Sequence, residues 1–272
     1  MAALQVVGGG RMGEALVGGL LKAGGHSLSS LVIVEPVAGR RAELETTFPG
    51  VDVVDAPTAS DGTVLAVKPN DVPAACRAVA QAGSGRVLSI AAGVTIATLE
   101  EHLAPGTAVV RAMPNTPALV GLGASAIAAG TGAGDEDLEW AERLLAAVGV
   151  VVRVKEPLLD AVTGLSGSGP AYVFLMVEAL VEAGVLAGLP RDVSEALSVQ
   201  TLLGSATLLS TSDEGAESLR AAVTSPGGTT AAGLRVLEQH GFRSALLEAV
   251  AAATARSREL GGSPGQQPQR PL

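Results

Sequence analysis

Aromatic side chains make up only 2% of this 272-residue sequence, although 47% of its residues are hydrophobic. Its core must therefore be filled by Ala, Val and Leu, small side chains that suit close helix-helix and helix-sheet packing. A single cysteine, Cys76, excludes an internal disulfide and any cysteine-based zinc site, and its place in a helical run reads as a buried thiol. The three histidines, His26, His102 and His240, show no His-x-x-x-His or His-x-x-Glu spacing, so no metal site is expected. Cations are scarce as well. With 18 Lys and Arg against 27 Asp and Glu, the formal charge is −9 and the pI about 4.9. No basic stripe is present, which argues against a nucleic-acid partner, since phosphate affinity needs clustered cations. The mean hydropathy of +0.41 is inflated by Ala and Gly. The longest apolar candidate, residues 171–189, is interrupted by Glu178 and Glu182, so no membrane span is expected. The chain opens directly on an apolar strand with no basic-then-apolar leader, from which a cytoplasmic protein is expected.

Two glycine-rich breaks stand out. The first follows an apolar run at residues 3–7: Gly8-Gly9-Gly10-Arg11-Met12-Gly13, after which Ala15, Leu16, Leu20 and Leu21 recur at helical spacing. Gly8, Gly10 and Gly13 have the dinucleotide-binding spacing, with one glycine for the tight turn, one for approach of the backbone to a pyrophosphate and one for helix-strand packing. The second break is Thr224-Ser225-Pro226-Gly227-Gly228-Thr229-Thr230, between two Ala/Leu-rich helical segments. Pro226 ends one helix, and Thr229 and Thr230 open the next with uncommitted N–H groups, a site for a small anion. The competing reading is a helix corner capped by a threonine side chain.

Between the breaks, apolar strands alternate with helices. Strands are expected at residues 31–35, 51–54, 63–67, 86–90, 108–112, 125–129 and 150–154, and helices at 72–81, from 95, and at 136–147. This is the pattern of an α/β fold: a doubly wound, mostly parallel, Rossmann-like sheet covered on both faces. Ligands bind such sheets outside the carboxyl ends of the strands. The tails Ala66-Val67-Lys68-Pro69, Ala91-Ala92-Gly93 and Met113-Pro114-Asn115 are therefore candidates to line a cofactor crevice, with Arg11 and Met12 from the first turn. Glu35, at the end of the second strand, could accept from an adenosine ribose 2′-hydroxyl and favour NAD, whereas Arg40 or Arg41 could hold a 2′-phosphate and favour NADP. A solvated first helical turn accounts equally for the two arginines.

After residue 156 no further strand is expected. Helices at 158–165, 169–187, 191–209, 214–223, 229–238 and 242–259 are apolar over most of their circumference and call for burial against a second copy. The expected division is a dinucleotide-binding domain at 1–156, an all-α domain for substrate and dimerisation at 157–260, and a Gly/Pro/Gln-rich disordered tail at 261–272.

The glycine turn, Ala66-Val67-Lys68-Pro69, Arg111-Ala112-Met113-Pro114-Asn115-Thr116-Pro117, Leu165-Ser166-Gly167-Ser168-Gly169-Pro170-Ala171-Tyr172 and Thr224 through Thr230 together resemble the pyrroline-5-carboxylate reductases, over nearly the whole chain. The resemblance implies reduction of 1-pyrroline-5-carboxylate to L-proline with NADPH or NADH, and helical domains that interleave with a twin. It implies a cofactor over Gly8 to Gly13 and against Ala66 to Pro69, and a substrate carboxylate held by Ser225, Gly227, Gly228, Thr229 and Thr230. Thr230 and Lys68 are the catalytic candidates. One departure is the segment at 55–62, which is short and lacks the asparagine that relatives commonly carry there. Two alternatives are a related β-hydroxyacid reductase using Lys68 as acid/base and a non-catalytic nucleotide-binding regulator. The first would want a lysine in the helical domain, and none follows Lys155.

Overall fold

The computed structural model describes residues 2–24 and 27–262, so most of the expected tail lies outside the described residues. Eight strands form one sheet: β1 Ala2–Val7, β2 Leu31–Val34, β3 Asp52–Val54, β4 Ser60–Leu65, β5 Arg86–Ser89, β6 Ala108–Met113, β7 Gly123–Ala129 and β8 Gly149–Arg153. Their spatial order is β3-β2-β1-β4-β5-β6-β7-β8. All neighbours pair parallel except β6 with β7. That reversal has a plain cause. The connection from Pro114 to Leu122 is shorter than the dozen or more residues a parallel crossover needs.

Residues alternate between the two faces of the sheet, and each face has its own core. On one side Leu4, Val6, Leu31 and Ile33 pack with helices α1 (Arg11–Lys22), α2 (Ala38–Thr47) and α5 (Asp135–Ala146), through Leu16, Leu20, Leu44, Trp140 and Leu144. On the other, Val7, Val34, Leu65 and Val87 meet α3 (Val72–Ala82) and α4 (Ile96–His102). Cys76 is free and fully buried there, and its burial pushes the thiol up to about 11.

Strand boundaries differ modestly from those expected. The fourth strand starts at Ser60, because Gly62 lets the backbone run under Trp140, whose ring stands 2.5 Å from where a Cβ would be. Below it, fully buried Gln5 donates to the carbonyl of Thr58 at 2.9 Å, to Ser60 at 3.0 Å and to Thr63 at 2.9 Å, so the polar residues that look out of place in an apolar strand satisfy one another.

The remaining helices are α6 Leu159–Val162, α7 Gly169–Leu186, α8 Arg191–Thr211, α9 Ala216–Ala222, α10 Thr229–Gln239 and α11 Phe242–Gly261. The helix expected at 158–165 is broken up. It begins as a 3-10 turn at Glu156–Leu158, becomes α6, then widens to a π turn at Thr163–Gly167, closed by the Ser168 N–H on the Thr163 carbonyl at 2.8 Å. Two compact units result: Met1–Ser168 with Ala251–Leu272, and Gly169–Val250. The second unit fully buries only Val181 and Ser194, while Phe174 is 62% and Leu186 91% exposed. By length and composition the run Glu156–Leu186 could cross a membrane despite Glu178 and Glu182; an 18-residue window within it has a mean hydropathy of 1.5 and is 6% buried. That exposed apolar surface is the feature of the unit that needs a partner of some kind.

Candidate active site

In the sheet unit the parallel strands β1, β2, β4, β5 and β6 all end at one edge, and the direction of winding changes between β1 and β4. That switch point is where a doubly wound sheet opens a crevice. Gly8 follows β1 with φ +109°, and an added Cβ there would lie 2.6 Å from the Ala66 carbonyl oxygen. The Ala66 N–H donates to the Val7 carbonyl at 2.8 Å, so the glycine turn and the Ala66-Val67-Lys68-Pro69 tail are locked together. A Cβ on Gly13 would lie 2.1 Å from the Gly8 carbonyl oxygen. Packing therefore demands both glycines.

Gly10 is different, because nothing lies within 4 Å of where its Cβ would be. It is the N-cap of α1 and carries no side-chain cap, so the first N–H groups of the helix, at its positive end, have no intrahelical acceptor. A glycine that no protein atom requires, beside unclaimed donors, fits a pyrophosphate coming close to the backbone. The residues present thus fit a dinucleotide.

Around this turn the other candidates fall into place. Lys68 is exposed and leads into a 3-10 turn at Pro69–Asp71. Ala91 is buried and Ala92 exposed after β5, and Gly93 takes φ +74° beside Leu260 of α11. Met113 and Pro114 end β6; Met113 packs against Gly167 of the π turn, where a Cβ would come within 2.7 Å of its methyl group. The Asn115 amide is engaged at both ends: Nδ2 donates to the Ser166 carbonyl at 3.1 Å, and Oδ1 accepts from the Ala124 N–H at 2.8 Å. Asn115 thus ties the β6 tail to the π turn.

Sequence reasoning passed over Glu156 and Glu14. Glu156 Oε1 accepts from the Ile96 N–H at 2.7 Å, at the start of α4, and from Arg111 at 2.8 Å. The Arg111 side chain is 8% exposed, so this acid neutralises a buried cation next to the site. Glu14 pairs with Arg40, which also reaches Glu43 at 2.8 Å and the Gly9 carbonyl at 2.8 Å. Its hydrogen bonds to Glu43 and then to Glu14 raise the guanidinium pKa. Glu14 is 26 residues from Arg40, so only its place in the first turn of α1 hinted at the pairing.

The second glycine break lies in the helical unit. Gly227 takes φ +70°, the Gly228 N–H returns to the Ser225 carbonyl at 3.0 Å, and α10 begins at Thr229. The N-cap is Gly228, and no side chain caps the helix, so the threonine-capped corner is not what forms. Thr229 and Thr230 instead occupy the first two helical positions, with their N–H groups beyond the reach of intrahelical acceptors. Thr224 turns its hydroxyl back to the Arg220 carbonyl at 2.6 Å.

Residues 156–260 match the family described as pyrroline-5-carboxylate reductase dimerisation, and residues 3–93 the family described as NADP oxidoreductase, coenzyme F420-dependent. A pyrroline-5-carboxylate reductase from Synechocystis is 46% identical over 263 residues, covering 95% of this chain and 98% of its own length. The chain belongs to the pyrroline-5-carboxylate reductases. A reductase of this family from Coxiella burnetii superposes with a TM-score of 0.91 at 34% identity, over 96% of this chain and 99% of that one. A pyrroline carboxylate reductase from Plasmodium falciparum, solved with NADP bound, gives 0.80 at 30% identity over 96% and 98%. Members of the family are oxidoreductases acting on a cyclic imine in proline biosynthesis, and the dimerisation family covering α6 to α11 supplies the reason for their bare apolar faces.

Proposed function

We propose that the two glycine breaks divide the work of reducing 1-pyrroline-5-carboxylate to L-proline. The turn from Gly8 to Gly13 holds the pyrophosphate of NAD(P)H, with Ala66 to Pro69, Ala91 to Gly93 and Met113 to Asn115 along the same sheet edge. When bound, the cofactor supplies the hydride that the imine carbon accepts. The substrate carboxylate is taken by the N–H groups at the start of α10, past Gly227 and Gly228, with help from the Ser225 and Thr229 hydroxyls. Holding the carboxylate fixes one end of a rigid five-membered ring, and orientation of this kind carries much of the rate for an imine that is already electrophilic when protonated. Thr230 then accepts from the protonated ring nitrogen or relays its proton, and Lys68 assists from the cofactor side. Pairing of the helical units of two copies, as an interleaved dimer or a larger assembly, completes the enzyme, which we place in the cytoplasm.

The observation that carries this reading is Gly10, whose Cβ position at the N-terminus of α1 meets no protein atom, in a chain 46% identical to a pyrroline-5-carboxylate reductase along almost its whole length. Mixing the protein with pyrroline-5-carboxylate and NADPH, then NADH, tests it. Cofactor oxidation matched by proline formation is expected; oxidation without proline, or none with either cofactor, would refute it.

A further inference from the structure

The adenosine end of the cofactor is read where β2 meets the glycine turn, and this inference rests on the reductase reading above. Glu35 follows β2 directly and is 9% exposed. Its Oε2 accepts from the Gly9 N–H at 3.1 Å and its Oε1 from the Val37 N–H at 2.9 Å. One of those donors belongs to the glycine turn itself, so the carboxylate is held in place beside it. A carboxylate has about four acceptor positions, and two protein donors leave others for a ligand.

Arg40, the cation that reaches the glycine turn, has every nitrogen engaged. Arg40 Nε donates to the Gly9 carbonyl, and its two terminal nitrogens go to Glu43 and Glu14. Arg41 lays one terminal nitrogen on the carbonyls of Glu35 and Pro36, at 2.9 and 2.8 Å. Two carboxylates, Glu14 and Glu43, are set against Arg40, and a third, Glu35, stands beside the Gly9 N–H. A ribose 2′-hydroxyl arriving here meets a fixed acceptor. A 2′-phosphate meets a fixed negative charge and an arginine whose own charge is matched by two carboxylates.

We propose that Glu35 is the specificity-determining residue for the cofactor, reading the ribose 2′-hydroxyl, so that the enzyme accepts NADPH but binds NADH more tightly. Arg40 braces Gly9 and Glu14 and is not the receptor of a 2′-phosphate.

ADP-ribose and its 2′-phosphate carry no nicotinamide, so calorimetric titration of the full chain with each reads this corner without turnover. Wild-type protein is expected to bind ADP-ribose about tenfold more tightly, the size of one ordinary hydrogen bond. Equal or tighter binding of the 2′-phosphate would overturn the assignment. Failure of both fragments to bind would instead bring down the dinucleotide reading of the glycine turn. Glu35→Gln, checked for an intact melting transition, is expected to shrink the preference to near parity; an unchanged ratio would overturn it. Arg40→Met is expected to weaken both fragments alike, whereas a loss confined to the 2′-phosphate would show Arg40 to be its receptor after all. Should Glu35→Gln fail to fold, the wild-type ratio still decides.

Discussion

The sheet unit and the helical unit are built from similar residues and solve burial in opposite ways. In the first, each face of the sheet is closed by helices of the same chain, around Leu4, Ile33 and Leu144 on one side and Val34, Leu65 and Val87 on the other. In the second, α7 alone leaves Val173, Phe174, Leu175, Leu180, Val185 and Leu186 exposed. Removing side chains of this size from water is worth about 1.5 to 3 kcal/mol each, so these six together match the whole stability of an ordinary domain, roughly 5 to 15 kcal/mol. The sheet unit is therefore a domain, while the helical unit is a fraction of one. Its folding is expected to be linked to association, with a stability that rises with the concentration of the chain.

The sharpest way to break this contrast is to charge the bare face. Phe174→Asp with Leu175→Asp is expected to abolish association and all measurable turnover, while the sheet unit still binds ADP-ribose; sizing chromatography and calorimetry read the two halves separately. Next in size is Thr230→Ala. Removal of a proton-handling hydroxyl is expected to lower kcat about 100-fold. Because no side chain caps α10, the melting temperature should stay put, and a lowered Tm with wild-type kcat would return Thr230 to a purely structural role. In the other unit, Gly10→Ala adds a Cβ with no protein atom within 4 Å. It is expected to hold the pyrophosphate off the backbone and weaken cofactor binding about tenfold, the worth of a single hydrogen bond, with an unchanged melting curve. Gly13→Ala should show the reverse, since its Cβ runs into the Gly8 carbonyl: destabilisation of about 1 to 3 kcal/mol by overpacking, followed by denaturant titration. Smallest is Ser225→Ala, expected to raise KM for pyrroline-5-carboxylate a few-fold, by about 1 kcal/mol, without altering kcat.

The same contrast runs through what could be read in advance. Strands such as Leu31–Val34 and helices such as Val72–Ala82 are apolar runs punctuated by Gly and Pro, and local pattern is enough to find them. The over-apolar helices announced a partner for a similar reason, since one helix face can be weighed against another without knowing the fold. What was not legible depends on contacts distant in sequence. The π turn at Thr163–Gly167 exists where Met113 and Asn115 press on it from β6. Arg40 looked free to receive a phosphate because Glu14 and the Gly9 carbonyl approach it only in the folded chain. Thr229 and Thr230 read as opening the next helix and do so; which residue caps it was not legible, and the turn of Gly227 places the cap at Gly228. The reversal at β7 was within reach, since the short Pro114–Leu122 connection already ruled out a crossover.

One chain is expected to fold half of this enzyme by itself and to borrow the rest from a copy. Light scattering on the eluting protein, with reductase activity assayed across the same peak, tests it most directly. The expected result is activity confined to species of at least twice the 26.9 kDa chain mass. A stable, fully active species at 26.9 kDa would contradict it.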